Sequence, residues 1–177
     1  MHVHQEITEA LVHDFINKSI TDVFKTMLGL DARLVKGTAE AAAEAWPPLH
    51  AGREVSKPHI VGSVGFIGDA NGLVYLYLDL DFASTCTREL LGMTDTELAG
   101  QGEEVVNDAI AELTNMSVGG FKNRLCDAGY PCMLTIPSIL RGTNFCVELT
   151  SSSTRHIYHF DCSGHRVIVD ILMKQAD

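Results

Sequence analysis

Basic residues are scarce in this chain, and that scarcity excludes a class of partner. Thirteen Lys and Arg stand against 23 Asp and Glu, for a net charge of −10. No cluster of basic side chains is dense enough to neutralise a phosphate backbone, which argues against nucleic acid as a partner. Long apolar runs are also missing: nothing approaches the roughly 18 consecutive apolar residues needed to cross a bilayer. The opening Met1-His-Val-His-Gln-Glu6 lacks the basic stretch and apolar run of a secretory signal. These absences predict a cytoplasmic protein with no membrane partner. The five cysteines, Cys86, Cys126, Cys132, Cys146 and Cys162, are odd in number and contain no Cys-x-x-Cys pair. Reduced thiols are expected, not a disulfide framework or a zinc knuckle. Linkers, low-complexity tracts and short repeats are absent too. The chain therefore reads as a single domain over residues 1–177, large enough to bury a core without staples.

Hydrophobic periodicity supplies the elements. Ile7, Leu11, Phe15, Ile20, Val23, Phe24 and Met27 recur at mostly helical spacing, with Gly29 as the stop. Leu30 to Lys36 reads as a short strand. A weakly helical stretch from Thr38 to Ala45 follows, then an extended loop from Trp46 to Pro58, so 38–58 forms a loop-rich connection. The β-rich runs His59 to Ile67 and Leu73 to Leu80 flank Gly68-Asp-Ala-Asn-Gly72, a hairpin pattern. Phe82 to Leu91 reads as a helix ended by Gly92, and Thr94-Asp-Thr-Glu97 as a capping box. A long helix is predicted from about Gly102 to Leu125. Four β-prone stretches come last: Cys132 to Ile136, Phe145 to Ser151, Thr154 to Phe160 and Arg166 to Met173, most simply joined by hairpins. Without βαβ alternation, the expected class is α+β, an antiparallel sheet packed against long helices.

The long helix holds the most informative pattern. Asp108, Glu112 and Asn115 stand four and three residues apart. At about 100° per residue they fall, with Gly119, within about 60° on one face. Val106, Ile110, Leu113 and Phe121 mark the opposite, core-facing side, with Ala109 and Met116 at its margin. An Asn within a helix carries a small propensity cost, although Glu and Asn on a solvated face are also ordinary surface chemistry.

Beyond spacing, the run Asp108-Ala-Ile-Ala-Glu112-Leu-Thr-Asn115-Met-Ser-Val-Gly119-Gly-Phe-Lys122, followed by Ile136-Pro137-Ser-Ile-Leu-Arg-Gly142, resembles the signature of the CheC/CheX/FliY chemotaxis phosphatases, and CheX most of all. Gly65-Phe-Ile-Gly68-Asp69 and Gly72-Leu-Val-Tyr-Leu76 resemble the hairpin that precedes the motif in those proteins. The resemblance covers about residues 61–173 and implies a CheC/CheX-like fold. It further implies a phosphatase acting on the phosphoaspartate of a CheY-like receiver domain. Asn115 would orient the attacking water, and Glu112 would pair with the receiver's active-site Lys. Mg²⁺ would be held by the receiver, so this chain would need no cofactor or metal of its own. Asp108 and Gly119 take supporting, partner-facing places, while Pro137 and Gly142 shape a strand end beside the helix. A homodimer is the expected assembly.

Two departures stand out against the family pattern. Thr135 occupies a position where Ser is common before the Pro, and the loop around Pro47-Pro48 is long. Asp14-x-x-Asn17 is the nearest echo of a second motif but lacks the rest of the signature, so one active motif is expected. The alternative to a phosphatase is a noncatalytic adaptor that uses the same helix to bind a receiver or a flagellar switch component. A CheX-like domain with an unrelated binding role is the third reading.

Other constellations carry less. His156, His159, Asp161, Cys162 and His165 have a metal-like composition, but a regular strand sends His156 and His159 to opposite faces. Gly62, Gly65 and Gly68 do not match a dinucleotide loop. No nucleophile elbow surrounds Ser63.

Overall fold

Thr8 opens the first helix by accepting the Leu11 N–H on its hydroxyl (3.3 Å), and Glu9 in the first turn complements the helix dipole. This helix, α1, runs Glu9–Val23 and continues as a π-helical turn, Phe24–Leu28. It stops at Gly29, whose φ of 68° suits glycine best. The computed structural model describes residues 7–37, 58–143, 145, 147 and 152–174. The expected weak helix from Thr38 and nearly all of the loop from Trp46 lie outside them, as does most of the expected strand from Phe145 to Ser151.

The remaining elements follow in chain order: β1 Ala32–Gly37, β2 His59–Gly68, β3 Gly72–Asp79, α2 Leu80–Leu91, α3 Asp95–Ala99, α4 Glu103–Asp127, β4 Cys132–Leu134, β5 Ser138–Gly142, β6 Ser153–Cys162 and β7 His165–Lys174. Turn chemistry closes the β2–β3 hairpin, where the Asn71 side chain accepts from the Gly68 N–H (3.2 Å) and donates to its carbonyl (2.8 Å). Asp79 caps α2 by accepting the Phe82 N–H at 2.7 Å. Thr94 and Glu97 form the expected capping box of α3. Both hydrogen bonds to Thr94, the backbone one foremost, hold the Glu97 carboxyl below its usual range.

The strands form one antiparallel, seven-stranded sheet in the order β1-β6-β7-β3-β2, with β4 and β5 both on the outer edge of β2. Alternation along β2 and β3 divides the sheet into two faces. Ile60, Val64, Phe66, Val74, Leu76 and Leu78 join Ile16, Ile20, Phe24, Ile110, Leu113 and Phe121 in the main core. The helices therefore cover one face. The opposite face carries a smaller cluster of Val61, Tyr77, Ile157 and Ile168, with Tyr75 and Phe145 packed against it. An ion pair between half-buried Arg155 and buried Asp170 links β6 and β7; the guanidinium Nε and Nη2 each donate to one carboxylate oxygen, at 2.9 and 2.7 Å.

Two expectations need correction. Residues 138–142 form a strand where none is expected, whereas Phe145 and Val147 lie outside any strand. Nor does a hairpin join β4 to the next strand, because β4 and β5 run in the same direction along one edge of β2. Phe66 pairs with Leu134 and Ser63 with Ser138, so three steps along β2 correspond to four along the edge. This is a β-bulge at Ile136–Pro137, where proline has no N–H to give to the ladder. Thr135 secures the strand just before it. Its N–H donates to the Gly65 carbonyl (2.9 Å), and its hydroxyl accepts the Gly65 N–H (2.8 Å).

Candidate functional site

Helix α4 lies at the centre of the helical layer, and its fixation comes from small residues. Thr114 sits directly against Gly62 of β2, where any Cβ would overlap its side chain. Gly120 meets α1 in the same way, since a Cβ there would run into the Ser19 hydroxyl. That hydroxyl is fully buried and donates to the Ser117 carbonyl at 2.5 Å. Beneath the helix, Phe121 packs edge-on against Phe66 with centroids 5.8 Å apart. At its ends, Arg141 donates from Nε to the Asn107 amide oxygen (2.6 Å), and Arg124 pairs with Asp22 (2.6 Å). Ala109, Ile110, Leu113, Thr114, Ser117, Val118, Phe121 and Leu125 are buried, and Val106 and Met116 are half-buried. This agrees with the core side read from periodicity.

The motif side chains project from the other face of this helix. Asp108 and Glu112 are exposed and Asn115 is half-buried. Among the described residues, none of these three side chains forms a hydrogen bond or ion pair within the chain. Two carboxylates and an amide are thus held on a rigid scaffold with their polar atoms available. Lys122 lies on the same face two turns beyond Asn115 and donates to the Asn123 side chain at 3.2 Å.

Gly119 completes the face, and packing among the described residues does not require it: a Cβ there would make only an ordinary contact with Leu134 Cδ1 at 3.9 Å. Pro137 stands in the bulge and Gly142 ends β5, so both belong to the edge strand beside α4. Sequence reasoning missed Gly62, Ser19 and Gly120 as the seats of the helix. Among the described residues, no group of three or more His, Cys, Asp or Glu is arranged to hold a metal ion. The described cysteines, Cys86, Cys126, Cys132 and Cys162, are free thiols; burial pushes Cys132 and Cys162 up to about 11.

With this geometry in view, comparison with known proteins gives a consistent result. The family described as "Chemotaxis phosphatase CheX" matches residues 60–161, from β2 through most of β6, which is more than half of the chain. This chain belongs to the CheX family. Solved structures share the fold across nearly the whole chain. Chemotaxis protein CheX from Vibrio vulnificus is 19% identical with a TM-score of 0.73, over 96% of this chain and 99% of that one. A CheC-like superfamily protein from Shewanella sp. PV-4 is 22% identical with a TM-score of 0.71, over 94% and 99%. The CheX of a CheX–CheY–BeF3–Mg²⁺ complex from Borrelia burgdorferi is 18% identical with a TM-score of 0.69, over 93% and 98%. No curated protein matches the chain. No helix among the described residues is long and apolar enough to cross a membrane.

Proposed function

We propose that this CheX-family chain accelerates hydrolysis of the phosphoaspartate on a CheY-like receiver domain by inserting the exposed face of α4 into the receiver's active site. One observation carries the reading: Glu112 and Asn115 stand side by side on a helix packed from beneath and from the side, and among the described residues neither side chain has a hydrogen-bond or ion-pair partner. The Borrelia complex, a CheX with a CheY carrying beryllofluoride and Mg²⁺, supports a receiver as the partner.

An acyl phosphate already has a good leaving group, so the remaining barrier is the placement and orientation of water in line with the breaking P–O bond. The Asn115 amide has both a donor and an acceptor, so it can hold a water from one side while directing its lone pair to phosphorus. Glu112, one turn earlier, pairs with the receiver's active-site lysine in a charge-assisted hydrogen bond that fixes how far the helix enters. Gly119 leaves room for the receiver's backbone, and Asp108 adds negative charge at the rim. Mg²⁺ is supplied by the receiver and neutralises the phosphoryl oxygens.

Decay of a phosphorylated CheY-like receiver, followed with and without this chain at substoichiometric concentration, tests the reading. Multiple turnover is expected. Binding to the receiver without acceleration would refute catalysis and leave the adaptor role.

A further inference from the structure

Four large aliphatic or thioether side chains along the outer edge of the sheet are exposed: Ile67 at 61%, Met133 at 76%, Ile136 at 86% and Leu140 at 45%. Strand alternation separates one from the rest. Met133 pairs with Ile67, and Leu140 pairs with Val61 of the cluster opposite the helices, so these three belong to the helix-free face. Leu134 pairs with Phe66 and packs into the main core beside Gly119. Carried two positions on, the same alternation assigns Ile136 to the helix side. There the bulge and the missing N–H of Pro137 release it from the ladder.

Its level along α4 is set by two contacts. The edge strand passes Gly119 at Leu134 and Asn107 at Arg141, so strand and helix run in opposite directions. Ile136 lies between those points in the chain, and interpolation between them puts it level with the helical turn that carries Asn115. A typical stable interface covers roughly 800 Å² per partner, a patch of about 16 Å radius. A domain that brings its phosphoaspartate to Asn115 therefore covers Ile136 as well.

Resting on the phosphatase reading above, we propose that Ile136 is a positioning residue for the receiver: an aliphatic knob that docks on an apolar patch beside the phosphorylation site and sets affinity without touching the reacting atoms. Among the described residues the side chain is 86% exposed and joins neither hydrophobic cluster, and burying an isoleucine at an interface is worth about ten- to a hundredfold in affinity.

The test is steady-state dephosphorylation by wild type, Ile136→Asp, Ile136→Leu and Met133→Asp, together with titration of each against the beryllofluoride-activated receiver. Ile136→Asp should raise KM and the dissociation constant at least tenfold and leave kcat within about twofold. Ile136→Leu should keep wild-type values, as should Met133→Asp on the helix-free face. An Ile136→Asp variant with unchanged KM and affinity overturns the inference while wild-type turnover still upholds the phosphatase reading. An equal rise in KM for Met133→Asp also overturns it, by showing a general charge effect. Wild-type protein inert toward phosphorylated receivers overturns both. Circular dichroism of each variant separates these outcomes from misfolding, and Ile136→Ser provides a milder replacement.

Discussion

Gly62 on β2 and Thr114 on α4 touch where no larger residue fits at position 62. The Thr114 hydroxyl turns back to donate to the Ile110 carbonyl at 2.6 Å, and its side chain rests on the bare glycine backbone. This contact sets the height of the motif helix above the sheet, one position before Asn115.

Gly62→Ala should therefore destabilise the fold by about 1–3 kcal/mol, the usual cost of overpacking a close-fitting contact. Thr114→Ala in the same chain should return part of that loss, because it removes Oγ1, the atom that the new methyl strikes hardest, and Cγ2, while Cβ remains. A denaturant-unfolding double-mutant cycle measures the coupling. Strict additivity of the two changes would contradict the contact.

Asn115→Ala and Glu112→Ala should fail differently. Loss of the amide should lower kcat by roughly two orders of magnitude or more while affinity for the beryllofluoride-activated receiver stays near wild type, because positioning acts chiefly in the transition state. Loss of the carboxylate should weaken binding as well as turnover. Single-turnover decay paired with a binding titration distinguishes the two. An Asn115→Ala enzyme at wild-type rate would remove the water-orienting role.

Gly119→Ala should stabilise the protein by about 0.5–1 kcal/mol and slow dephosphorylation. The gain comes from helix propensity, since among the described residues a methyl at 119 meets only Leu134, at an ordinary distance. The loss comes from a receiver that needs that space. Thermal unfolding and receiver decay on the same preparation decide the matter; a more stable variant with full activity would mean that the partner does not approach at 119.

His156 should contribute a pH dependence of stability. Burial lowers its pKa from the usual 6.5, opposed in part by the Glu9 carboxylate. Below about pH 6.5 the unfolded chain then binds more protons at this group than the folded one does. Its contribution is fully present above that pH and is lost as pH falls toward the lowered folded value. Melting temperatures at pH 7.5 and 5.5 should differ more for wild type than for His156→Gln. Equal differences would assign the acid sensitivity to other groups.

The parts of this fold that were legible in the sequence are those written in local patterns. The four-and-three spacing from Asp108 to Asn115 requires only helical geometry, and the core stripe through Ile110, Leu113 and Phe121 confirms the face. The β2–β3 hairpin and the Thr94–Glu97 cap are equally local. Strand β5 was not legible, because Ser138-Ile-Leu-Arg-Gly142 is short and gains its identity by pairing with β2, some 80 residues earlier. The seats of α4 escaped for the same reason: Ser19 and Ser117 lie 98 positions apart, and neither Gly62 nor Gly120 announces what it faces.

The bulge at Pro137 also bears on how the chain survives as an unassembled molecule. It divides the outer margin of the sheet into runs of three and five residues and removes a donor between them. A misfolded or nascent neighbour searching for an open ladder finds no long template there, so strand-by-strand accretion is blunted on the side where aliphatic groups are most exposed. The irregularity that carries Ile136 outward thus also works as a guard against aggregation.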